Sequence, residues 1–256
     1  VKAVNSNHIT IVDVITGEFM NYFSMILLAL LTFSEVFAAE FFPPPFAAEY
    51  KLYVQGIPVG KGKRSLTALP NGNWIFETSG ETTGLVSLFQ SILIEERSVF
   101  TLVNGKVRPL EYTYRQSGKK PRLDTLFFDW QNHEATSTYR EVVNKIPLTN
   151  DGILDRLVYQ IVLMQELTQG KRQLQYAVAH KDKVSVYTPT YLGKEQVETG
   201  MGVVETLKYE RVSTDQERRT TFWCAPNWYY LPARVEHQEE DGEVFSLVLQ
   251  SLTGLQ

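Results

Sequence analysis

The sequence predicts a mostly β protein: a large curled antiparallel sheet or an up-and-down barrel of about a dozen strands, with one long and one short helix. Three observations carry that expectation. Apolar and polar side chains alternate with a period of two through most of residues 47–252, the rhythm of strands with one wetted face. Turn signals such as Pro70-Asn71-Gly72-Asn73, Asn104-Gly105 and Asp241-Gly242 punctuate those runs. Only two segments shift to the 3.6-residue period of a helix. Curling or closure follows because so many strands in one flat sheet would leave long edges unpaired. A two-sheet sandwich is the other arrangement that fits the pattern.

Phe41–Phe46 holds three prolines and reads as a stiff, extended lead-in over residues 39–46. Ala48, Tyr50, Leu52 and Val54 alternate with polar neighbours, and Gly56-Ile57-Pro58 turns the chain into a return strand, Val59–Leu69, interrupted by Gly60 and Gly62. Trp74–Ser79 places Trp74, Phe76 and Thr78 on one face. Leu85, Leu88, Phe89 and Ile92 then fall at helical spacing, which predicts a short amphipathic helix over residues 84–94. Ser98–Val103 and Val107–Gln116 flank the Asn104-Gly105 hairpin, and Leu126, Phe128 and Trp130 line the next strand. Thr136–Ile146 reads as one extended, polar stretch. A longer helix is predicted from a cap at Asn150 or Asp151 through Ile153, Leu154, Leu157, Val158, Ile161, Met164 and Leu167 to Gly170. Strands resume at Leu174 and continue to Leu252, with no shift in composition that would divide residues 47–252 into two domains.

Composition narrows the function classes. The 256 residues are 43% apolar and 21% charged, which is globular rather than disordered. The net charge is −4, and no basic block exists to neutralise a row of phosphates, so nucleic acid is not an expected partner. Cys224 is alone, so no internal disulfide forms, and a buried inert thiol is the expected state.

The N-terminal region predicts export. Met25–Phe33 (MILLALLTF) is almost unbroken apolar sequence, and Val36-Phe37-Ala38-Ala39 supplies small residues suited to cleavage after Ala38. The run is much shorter than the roughly 20 apolar residues needed to span a bilayer, so residues 20–38 read as a cleavable signal peptide and not as an anchor. Residues 1–19 read as an over-long extension before Met20. A periplasmic protein that spans no membrane after cleavage is therefore expected.

No catalytic pattern is found. Gly84-Leu85-Val86-Ser87-Leu88 resembles a nucleophile elbow only superficially, since Ser87 falls on the expected short helix and not at a strand-to-helix turn. His133, His180 and His237 lie at no metal-ligand spacing from one another or from Cys224, and each is expected at a strand or turn facing water. Asp124-Thr125 is followed by leucine where an aspartic protease loop needs glycine. The expectation is a non-enzyme with no metal and no cofactor.

Several segments together resemble a known family. They are Tyr50–Gly60, Ser98–Tyr112 with Pro109, Phe127-Phe128-Asp129, Asp151–Asp155, Gly193-Lys194-Glu195, Thr199–Gly202, Trp223, Leu231–Val235 and Asp241-Gly242. In order and spacing they are similar to the bacterial domain of unknown function numbered 3108, over about residues 47–250. Cys224 departs from the apolar residue expected after the tryptophan. The resemblance implies an exported, mostly β protein and supplies no activity or catalytic residues to carry over.

Two functions fit these readings. The first is binding of an apolar small molecule or lipid inside a barrel or half-barrel, with Trp74, Phe76, Phe89, Tyr112, Phe128 and Trp130 as candidate lining residues. The same rings would equally serve as ordinary core. The second is a structural or interaction module that engages an envelope protein through a strand edge or through Phe41–Phe46.

Overall fold

The computed structural model describes residues 41–84, 87, 91–118, 120–213 and 217–255. The predicted signal peptide, the extension before it, and Phe89 lie outside the described residues.

The first half of the chain is a continuous antiparallel meander. Its strands are β1 (Phe46–Val54), β2 (Ile57–Ala68), β3 (Trp74–Thr82), β4 (Ile92–Val103), β5 (Lys106–Gly118), β6 (Arg122–Asp129), β7 (Glu134–Tyr139) and β8 (Val142–Pro147). An insertion follows, made of β9 (Ile153–Asp155), helix α1 (Tyr159–Thr168), β10 (Tyr176–His180) and β11 (Lys183–Tyr187). A second meander, β12 (Thr190–Thr199), β13 (Gly202–Val212), β14 (Arg219–Ala225), β15 (Leu231–Gln238) and β16 (Val244–Thr253), returns to pair β16 with β1. The result is one 13-stranded antiparallel sheet, ordered β12-β13-β14-β15-β16-β1-β2-β3-β4-β5-β6-β7-β8. The sheet curls without closing, with β12 and β8 as its edges. Register shifts at Glu49/Tyr50, Leu52/Tyr53, Val99/Phe100 and Trp223/Cys224 sharpen the curl, because a bulge bends its strand and adds twist.

The insertion packs into the concave side. β9, β10 and β11 form a small sheet in which β9 runs parallel to β10. Gln160 accepts a bond from Arg64 Nη1 at 3.0 Å, Asp155 accepts one from the Ser98 hydroxyl at 2.5 Å, and Gln165 Nε2 donates to the Gly105 carbonyl at 3.0 Å. Arg211 of β13 lies 4.2 Å from the Tyr187 ring, and Tyr139 of β7 meets His180 edge-on. Strands from both halves of the sheet thus touch the same plug. Tyr50, Phe76, Phe100, Phe222, Ile161 and Met164 are almost wholly buried in a single core cluster.

The long helix starts later than its spacing predicts. Ile153–Asp155 is strand, held against Ala177–Ala179, and α1 begins only at Tyr159. A short, fully buried strand shows the same unbroken apolar pattern as a buried helix, so spacing alone cannot separate them. Asn150 does not cap the helix; its Oδ1 accepts the Gly152 N–H in a tight turn. The helix ends at Gly170, whose φ of +79° suits the left-handed C-terminal position, with its N–H on the Leu167 carbonyl. In the segment predicted as a short helix, Ile92 and Ile94 belong to strand β4, while residues 85, 86 and 88–90 lie outside the described residues. The proline-rich lead-in is anchored: Phe42 packs on Trp74 and Phe100, and Phe46 packs on Phe76.

Candidate functional site

Strand pairing decides which side chains meet on the concave face. Tyr50 pairs with Gly62, Gly62 with Gly80, and Gly80 with Ile94. One step toward the strand ends, Leu52 pairs with Gly60 and Gly60 with Thr82. Three glycines therefore occupy inward positions on neighbouring strands, and a lane of the concave face carries no side chains. A Cβ built on Gly80 would meet nothing within 4 Å.

The lane opens into a cleft of ≈ 530 Å³. Leu52 and Val54 of β1, Ile92 and Ile94 of β4, and Phe245 and Leu247 of β16 supply apolar walls. Two larger grooves, of ≈ 1080 and ≈ 670 Å³, are lined mainly by charged and polar side chains such as Arg115, Lys120, Arg140, Lys63, Glu77 and Arg97. Size alone would favour them, but of these three it is the smaller cleft that combines concavity with apolar walls, as small-molecule sites do.

The inner end of the cleft is polar. Ala48, Arg64, Thr78, Glu96, Tyr114 and Asp124 form one row across β1 to β6. Arg64 is 7% exposed, hydrogen-bonds to Gln160, and leaves Nε without an acceptor among the described residues. Its guanidinium stands 5.4 Å from the Tyr50 ring. The Tyr50 hydroxyl donates to the Pro232 carbonyl at 2.9 Å, and burial pushes it up to about 12. Farther along the row, Glu96 is held by Arg156 at 3.4 Å and accepts the Tyr112 hydroxyl at 2.6 Å. Asp155, behind that pair, accepts the Ser98 hydroxyl and the N–H groups of Leu157 and Val158, and burial pushes its carboxyl up to about 6. Asp124 is bonded to Arg122 and to the Arg140 N–H; burial pushes its carboxyl up, but those bonds outweigh it and leave it below the ordinary value.

Five of the six sequence-predicted lining residues are described. Trp74, Phe76, Tyr112, Phe128 and Trp130 pack in or against the core, and none of them lines the cleft. Phe128 stacks on Trp130 at 5.6 Å, and the Trp130 indole donates to the Pro109 carbonyl at 2.7 Å. His133 is exposed at a turn, as expected. His180 is half-buried, and burial, then Arg156 and Lys181, pushes it down to about 3. His237 is half-buried beside Thr220 and Glu239. Among the described residues, no three His, Cys, Asp or Glu side chains are grouped to share a metal ion. No helix among them is long and apolar enough to cross a membrane.

Comparison with known proteins places these observations in a family. A model described as protein of unknown function (DUF3108) matches residues 49–249. No curated protein matches the sequence. Among solved structures, the chain is similar to a β-barrel-like protein of domain of unknown function DUF1849 from Brucella abortus. The TM-score is 0.53 at 11% identity, covering 82% of this chain and 97% of that one, a likeness of fold alone. A lipoprotein candidate from Parabacteroides distasonis aligns over 83% of this chain and 98% of its own at 11% identity, with a TM-score of 0.34.

Proposed function

Because this chain belongs to the DUF3108 family, whose description assigns no activity, its function is read from its own geometry, and we propose that it is an exported envelope protein that binds an apolar or lipid-like ligand in its half-barrel. One observation carries the reading: an apolar cleft of ≈ 530 Å³ on the concave face, lined in part by Gly80, where an added Cβ would meet open space. That volume falls within the range of about 300–1,000 Å³ typical of small-molecule sites. The apolar leader over residues 20–38 supports a periplasmic location. The role is binding, with no bond made or broken.

The test is Nile red fluorescence with the wild type and Gly80→Leu. The new side chain would project into open space, so the variant should fold and melt like the wild type while losing the blue-shifted dye signal. Absence of dye binding by the wild type, or equal binding by a folded Gly80→Leu protein, refutes the reading. Osmotic-shock fractionation tests the location: a product trimmed after Ala38 is expected in the released fraction.

A second reading rests on the open sheet edge. β8 is an edge strand, and Val142 and Val143 are 60% and 62% exposed. Such an edge suits strand addition by an envelope partner. The lead-in no longer favours this reading, since Phe42 and Phe46 are spent on the chain's own core.

A further inference from the structure

We infer that the cleft selects amphiphiles with an anionic head, a carboxylate or a phosphate, seated against Arg64 at the inner end with the alkyl tail running out between Val54 and Phe245. The inference rests on the proposed cleft and adds the chemistry of its ligand. Arg64 is a cation removed from water, and no carboxylate among the described residues lies within ion-pair distance of it. Of the other charges bordering the cleft, Lys63 and Glu81 differ in this respect, and Glu243 borders it two residues before Phe245. Lys63 faces Glu49 at 3.6 Å, and Glu81 pairs with Lys61 at 3.0 Å. Glu96, two strands from Arg64 in the same row, is engaged by Arg156 and Tyr112.

The titratable groups whose field Arg64 feels cannot neutralise it. Tyr50, Tyr159 and Cys224 are all buried, and burial pushes each up to about 12, so they stay protonated near neutral pH. Gln160 offers one neutral acceptor, and the guanidinium has five N–H donors. An unmatched buried charge is costly, and a planar fork matches a carboxylate or phosphate with two parallel hydrogen bonds. Thr78 stands opposite Arg64 on β3 and adds a hydroxyl beside the head position. From the Arg64–Thr78 pair to the Gly60–Thr82 pair the glycine lane runs four residues, about 13 Å of strand. That length suits an alkyl tail, with its head held at one end.

The test is displacement of Nile red by decanoate, decyl phosphate, decan-1-ol and decyltrimethylammonium. Wild-type protein is expected to prefer one or both anions over the alcohol by at least about tenfold, the order of a charge-assisted hydrogen bond. Arg64→Gln should erase that preference, and Arg64→Lys should keep part of it. The two anions distinguish a fatty-acid head from a phosphate head. Equal displacement by anion and alcohol, or preference for the ammonium, overturns the assignment of Arg64 while leaving the apolar cleft intact. Failure of Nile red itself to bind overturns the cleft. The selectivity of the wild type decides the matter even if Arg64→Gln does not fold.

Discussion

Replacing Asp155 with Asn should remove a pH-dependent weakness from the fold. The carboxyl is fully buried, and burial pushes it from 3.8 up to about 6 even though Ser98 and two backbone N–H groups bond to it. An unfolded aspartate titrates near 3.9. Between about pH 4 and 6 the folded chain therefore keeps a proton that the unfolded chain has released, so stability falls as the pH rises through that window. The difference corresponds to about 3 kcal/mol, lost by pH 7 and above. Asparagine has the same shape. Its Oδ1 can accept both N–H groups, and its Nδ2 can donate to the Ser98 oxygen. The advantage of the variant should grow by about 3 kcal/mol between pH 4 and pH 8, a further gain of about 6–12 °C in Tm for a chain of this size. Urea melts of both proteins, followed by near-UV circular dichroism at each pH, measure that change. His180 acts in the opposite sense. Its folded value is pushed down to about 3, so its contribution is present above the unfolded value near 6.5 and is lost as the pH falls. Both proteins share that contribution, and it cancels in the comparison. A difference that does not change with pH, or a wild type that gains on the variant as pH rises, would refute the argument.

Gly60→Ala and Gly80→Ala sit on the same concave face but should behave differently. A Cβ at Gly60 would stand 2.1 Å from the Glu81 carbonyl oxygen, whereas one at Gly80 meets open space. Gly60→Ala should lose about 1–3 kcal/mol in chemical melts, and Gly80→Ala should stay within about 0.5 kcal/mol of the wild type. The Cys224 thiol is buried, and burial pushes it up to about 12, so the native protein should not react with a disulfide reagent until urea unfolds it. Rapid reaction of the native thiol would contradict its placement.

Much of the sheet was legible because its signals are local. The alternation of Ala48, Tyr50, Leu52 and Val54 and the Asn104-Gly105 turn both correspond to observed strands and a hairpin. The turn between β7 and β8 escaped because it contains no glycine: Arg140 and Glu141 adopt φ of +49° and +69° themselves. Only tertiary context holds such residues there, and one polar stretch therefore resolved into two strands. The start of α1 escaped for a related reason. Ile153–Asp155 gains a parallel partner from β10, more than twenty residues away in sequence, and no local pattern announces it.

The cleft escaped sequence reasoning for a physical reason that the sheet itself explains. Counting inward aromatics locates where a curled sheet is filled, since Phe76, Tyr112 and Phe128 occupy space and pack against their neighbours. A cavity is specified by the opposite signal, residues that point inward and contribute nothing. Gly60 and Gly62 alternate with Lys61 and Lys63 in the sequence, so the period of two alone gives them the same inward parity as Arg64 and Leu66. What that period cannot give is Gly80 as their neighbour, because pairing of β2 with β3 depends on the turn at residues 70–73 and on its register. Nor could sequence show that Arg64 lacks a counter-ion among the described residues, since Glu96 is near in the row but committed to Arg156 from the insertion. The insertion thus does two things at once: it fills one end of the curl, and it takes up the acid that would otherwise stand nearest in the row to compensate Arg64, which leaves that cation facing the end that remains open.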